Sequence, residues 1–135
     1  ASGRRCVGEL RRGGCAPGTR MWRRPPNHDE LAQIATLLGK AIALNNRDDY
    51  AYAMLGEARS ALGDHDGLGF VRRAISLAPQ DSDHHLSAAR VLSREGNFDE
   101  AQKELLIAQA MAPTDGQVER VRQFAQWFET ARGRG

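Results

Sequence analysis

The chain has 135 residues, 41% of them apolar, 27% charged and 6% aromatic. That is enough for one domain with a real core, and it excludes a wholly low-complexity or disordered chain. The net charge of +2 hides an asymmetry, because residues 1–27 hold seven arginines against the single acid Glu9, a balance of +6, while the rest carries −4.

Residues 1–27 show no helical or strand period and are interrupted by glycine and proline, so they are expected to be a disordered basic tail. Met21, just before the periodic text begins, is one candidate for the natural start. Cys6 and Cys15 do not have the spacing of a zinc knuckle or a redox pair and are expected to be free thiols. The N-terminus lacks the apolar segment of a secretory signal. The longest apolar run, Leu37 to Leu44, is short and broken by Lys40, so no transmembrane segment is expected. Together these features suggest a soluble, cytoplasmic protein.

Asn27 with Glu30 three residues on has the form of a capping box, and Leu31, Ile34, Leu38 and Ala41 follow at helical spacing, widened by Leu37 and Leu44. The first helix is expected over 29–44. The second spans 48–62, with Tyr52, Leu55, Gly56 and Leu62 on its packing side, and Gly63 turns the chain. A third, over 66–77, is weakened by Gly67 and Gly69 and stopped by Pro79. The fourth covers 82–94 with Leu86, Ala88, Ala89 and Leu92. After Gly96, Asn97 and Glu100 read as a second capping box for a helix to Met111 with Phe98, Ala101, Leu105 and Ala108, and Leu106 alongside. Pro113 ends it. Thr114 or Asp115 then caps a sixth helix to about 130 carrying Val118, Val121, Phe124, Ala125 and Phe128, and residues 131–135 are expected to fray.

Two of these stretches repeat each other: Gly63 answers to Gly96, Ala74 to Ala108 and Pro79 to Pro113, at a spacing of 33 to 34 residues. Such a period is one helical hairpin that buries its apolar face only by stacking on neighbours. The residues Ala89, Gly96, Phe98, Ala101, Leu105, Ala108 and Pro113 resemble the signature of the tetratricopeptide repeat (TPR) family, and Tyr52, Leu55, Gly56, Gly63, Ala74 and Pro79 match it in the preceding copy. That copy departs from the pattern by one missing residue, at Gly67, and at Arg59, where the family usually has an aromatic. The resemblance implies an all-α fold of antiparallel helical hairpins stacked as a short right-handed α-solenoid of about six helices. Its divisions are a half repeat at 29–46, repeats at 48–80 and 82–114, and a capping helix at 115–130.

It also implies a concave groove lined by the first helix of each repeat, holding a peptide or helix of a partner. Carried over residue by residue, the groove positions are Tyr50, Ala53, Glu57 and Ser60, then Asp83, Leu86, Arg90, Ser93 and Arg94, then Gln117 and Arg120. Co-chaperone members grip a C-terminal carboxylate with a lysine and asparagine pair. Ala53 with Glu57, and Leu86 with Arg90, stand at those places here and speak against that ligand. Arg90, Arg94 and Arg120 together would suit an acidic or extended segment.

No catalytic constellation, phosphate loop or cofactor motif stands in the sequence, so a non-catalytic scaffold or adaptor without cofactor is expected. Adjacent His84 and His85 point about 100° apart on a helix, cannot chelate one ion, and are expected on the solvated surface along with His28 and His65. The alternative is the repeat segment of a larger enzyme or regulator, of sulfotransferase, glycosyltransferase, signalling or transcriptional type. Nucleic-acid binding through the arginine tail is a lesser reading, since the acidic body repels phosphate. The helix at 29–44 lacks a partner helix, so self-association through it is a further expectation.

Overall fold

Four of the six helices among the described residues start where a side chain takes up a free amide group. In the computed structural model, which describes residues 26–134, Asn27 Oδ1 accepts from the Glu30 amide at 2.8 Å and Glu30 Oε1 accepts from the Asn27 amide at 3.0 Å. This reciprocal box opens α1 (His28–Leu44). Asp48 accepts from the Ala51 amide and opens α2 (Asp49–Ala61); Asp81 accepts from the Asp83 amide and opens α4 (Ser82–Arg94). Thr114 Oγ1 accepts from the Gln117 amide ahead of α6 (Asp115–Arg134). The remaining helices, α3 (Gly67–Leu77) and α5 (Phe98–Met111), have no side-chain cap. The box read at Asn97 and Glu100 is therefore not formed, and Glu100 pairs with Lys103 instead. The sixth helix runs on to Arg134, past the expected end at 130. The basic tail up to residue 25, with Cys6, Cys15 and Met21, lies outside the described residues.

Each helix packs on the next, and α2 and α6 both also lie against α4, giving an all-α stack of antiparallel hairpins with α2, α4 and α6 as one layer. Gly63 and Gly96 turn the two hairpins at φ 93 and 81, in the left-handed region that admits glycine without a Cβ penalty. The main core joins Leu86, Ala89 and Leu92 of α4, Ala101, Leu105 and Ala108 of α5, and Val121, Phe124 and Phe128 of α6. A smaller cluster joins Val71 of α3 to Ala88 and Val91 on the other side of α4. Small residues at 88, 89, 101 and 108 let the helix axes approach, and the larger side chains fill the grooves between them.

The residue missing from the first repeat lies between Gly63 and Gly67, where the second repeat has one more between Gly96 and Ala101. Helix α3 consequently starts a turn late, and Gly67 takes the place of fully buried Ala101. Gly67 is no defect there. A Cβ on it would lie 2.5 Å from the Gly56 carbonyl oxygen, and one on Gly56 would lie 2.5 Å from the Gly67 oxygen and from Val71 Cγ2. The two backbones cross in contact, a closeness only paired glycines permit. We expect Gly56→Ala to lower stability by about 1–3 kcal/mol, through the forced separation of α2 and α3. Gly39→Ala, with open space around its added carbon, should gain up to about 1 kcal/mol from helix propensity alone. Urea unfolding of the two variants side by side checks the pair.

Arg59 lies over the Phe70 ring at 5.3 Å and reaches Asp64 and Asp66 in the turn. The flat guanidinium stacks on the ring face. On α1 only Leu31 is buried; Ile34, Leu38 and Ala41 are half-buried against α2, whereas Leu37 and Leu44 are exposed. Val118 and Leu106, expected on packing stripes, are also exposed.

Candidate functional site

By its residue types α4 is a polar helix, yet Asp83 and Arg94 are its only members that are not buried. Several of its polar side chains bond to the helices around it. Ser87 Oγ donates to Glu57 Oε2 at 2.7 Å, and Arg90 holds the same carboxylate in a two-point fork, Nε to Oε1 at 2.9 Å and Nη2 to Oε2 at 3.0 Å. Glu57 and Arg90 are 1% and 6% exposed, so the pair is internal. Burial by itself would raise the Glu57 carboxyl; the charge and hydrogen bonds of Arg90 and the Ser87 hydroxyl outweigh it and hold that group below its usual value.

One turn on, Arg94 Nη1 donates to Ser60 Oγ at 3.1 Å. At the other end of α4, Arg120 of α6 forks onto Asp83, with Nε to Oδ1 at 3.2 Å and Nη2 to Oδ2 at 3.1 Å. His84 Nε2 lies 2.6 Å from Asp49 Oδ2, and the Tyr50 ring stands edge-on to the imidazole at 5.1 Å. The Tyr50 phenol is raised above its usual value, first by its hydrogen bond to Asp81, then by burial and the charges of Asp81, Asp83 and Asp49.

These residues bound a concave cavity of about 380 Å³ lined by Tyr50, Ala53, Met54, Glu57, Asp83, His84, Leu86, Ser87, Arg90 and Arg120. Of the residues assigned to the groove from the sequence, Tyr50, Ala53, Glu57, Asp83, Leu86, Arg90 and Arg120 thus meet in one hollow. Ser60, Ser93, Arg94 and Gln117 do not line it; Gln117 instead accepts from the Thr114 hydroxyl at its own helix start. Two expectations change. Arg90 and Arg120 are each neutralised by an acid of the neighbouring helix, so the positive field assumed for an acidic ligand is cancelled within the groove. His84 and His85, expected on the surface, are buried.

The 100° between the histidines sends them to different interfaces. His84 faces α2, while the ring nitrogens of His85 meet Glu104 Oε1 of α5 at 2.9 Å and the Pro79 carbonyl at 3.1 Å. Arg72 of α3 reaches the other Glu104 oxygen at 3.6 Å. Met54, Ser87 and the Asp49–Asp81–His84 group were not singled out from sequence. A usable signal was the pairing of Glu57 with Arg90, opposite charges at the same repeat position 33 residues apart.

No protein-family model matches the chain, and no curated protein matches it. Among solved structures it is similar to the Yersinia enterocolitica type III secretion translocator chaperone SycD, crystallised as an alternative dimer. The TM-score is 0.63 at 19% identity, over 78% of this chain and 94% of that one. At that identity the likeness is one of fold. No helix among the described residues is long and apolar enough to cross a membrane.

Proposed function

We propose that this chain is a non-catalytic protein-binding module whose α2–α4–α6 face holds an extended segment or helix of a protein partner. The observation that carries this reading is the concave cavity, whose walls are fixed before any ligand arrives by the buried Glu57–Ser87–Arg90 network and the Asp83–Arg120 fork. Rigid walls reduce the ordering cost of binding. Tyr50, Met54 and Leu86 offer aromatic and aliphatic contact, with paired charges between them that fix orientation. The fold shared with a protein described as a translocator chaperone supports the same reading, in which this chain serves as an adaptor and has no chemistry of its own.

Random-peptide display against the full chain tests it. Enriched peptides should bind Tyr50→Ala and Met54→Arg at least about tenfold more weakly than the parent, and bind Lys103→Glu, on the exposed face of α5, equally well. Melting curves of the variants exclude unfolding as the cause. Absence of enrichment, or equal loss at Lys103→Glu, overturns the assignment.

A further inference from the structure

We propose that Asp49, Asp81 and His84 form a divalent transition-metal site at the rim of the cavity, with Zn²⁺ the ion its donors suit best. One ligand atom from each of the three lies within 4.8 Å of the other two. His84 Nε2 is 2.6 Å from Asp49 Oδ2 and 3.7 Å from Asp81 Oδ2, distances that bracket the roughly 3.4 Å between neighbouring ligands of a tetrahedral zinc ion. One nitrogen and two carboxylate oxygens are a borderline set suited to Zn²⁺ rather than to Ca²⁺ or Mg²⁺, which take oxygen alone.

This is more than acids gathered at a helix start. The imidazole is 1% exposed and directs a single nitrogen at two carboxylates, so one ring proton can bond to only one of them. A metal ion in place of that proton would engage both. The carboxylates are also held by their surroundings. Asp81 Oδ1 is occupied by the Asp83 amide at 2.9 Å, which leaves Oδ2 turned toward His84. Such outer partners are what orient ligands in built metal sites.

His84 and Tyr50 line the cavity, which gives an ion a route in and leaves its remaining coordination position facing the groove, for water or for a donor group on a bound partner. The ligands come from α2 and from the start of α4, so the ion would also fasten one hairpin to the next. The site does not depend on the partner-binding reading, since the ion alone is its probe.

The test uses the full chain carrying Cys6→Ser and Cys15→Ser, which removes thiols that compete for zinc. Zn²⁺ at about a hundredfold over its dissociation constant should raise the melting temperature by roughly 5–10 °C, reversed by EDTA. Co²⁺ should give visible absorption bands that saturate at one equivalent. Asp49→Asn, at a half-buried position, and His84→Asn should each lose both signals. If His84→Asn fails to fold, Asp49→Asn decides alone. No shift in the parent, or an undiminished shift and spectrum in Asp49→Asn, overturns the proposal.

Discussion

Arg90→Met should lower the stability of this protein by about 3–5 kcal/mol, because it leaves Glu57 as an unpaired charge in a site that is 1% exposed. Loss of that size is a large part of the total stability of a domain of this length. Glu57→Leu alone should cost a similar amount, by stranding the guanidinium. The double variant should recover most of the loss, because ion pairing in such a place barely exceeds the desolvation of its two partners. One detail favours recovery: Arg90 Nη1 is buried and has no hydrogen-bond partner among the described residues, so the native pair is itself imperfectly satisfied. A double-mutant cycle by urea unfolding measures the coupling directly.

The same pair sets an acid dependence. Glu57 is held below the ordinary glutamate value of 4.5, so its contribution is complete above that pH and is lost as pH falls through the lowered value. The parent should therefore lose stability more steeply than the double variant as pH drops below about 4.5. Equal slopes would show that other carboxylates dominate.

Phe124→Ala is the second large effect, expected at about 3–5 kcal/mol. Its ring is fully buried, stacks 5.9 Å from Phe128 and lies tilted 5.3 Å from Trp127, and Phe128 in turn meets Phe98 of α5 at 5.8 Å. The ring sits in the core shared by α4, α5 and α6, so the cost of the void it leaves adds to the transfer cost. The loss should fall on the docking of α6 against α4 and α5. Hydrogen exchange should show α6 amides losing protection before those of α2. Uniform loss across the chain would mean that the stack unfolds as one unit.

What the sequence made legible follows from how local each signal is. The Asn27–Glu30 box, the turn glycines 63 and 96 and the prolines 79 and 113 act over three or four residues, and the helices fall where they direct. The buried apolar side chains of α5 and α6 were readable from spacing, although the same spacing put exposed Leu106 and Val118 on the stripes. The burial of α4 was not, because His84, His85, Ser87 and Arg90 read as surface until their partners 19 to 35 residues away are known. Gly67 misled for the same reason. Its cost in a lone helix is visible in sequence, while the crossing with Gly56 that requires it is not. In the groove, repeat register placed Tyr50, Ala53, Glu57, Asp83, Leu86, Arg90 and Arg120 around one hollow. It could not show that the arginines face acids of their own chain.

The polar lining of α4 also gives the stack an address. Hairpins joined by alanine and leucine alone accept any similar hairpin as a neighbour, and misassembly between like units is the characteristic failure of repeat chains. Here the second hairpin seats on the first only where an acid at 57 meets the arginine at 90, and on the last helix only where Asp83 meets Arg120. A hairpin slipped by one turn would strand the charges. Order along this short array is thus written in ion pairs, while its cohesion comes from the hydrophobic core.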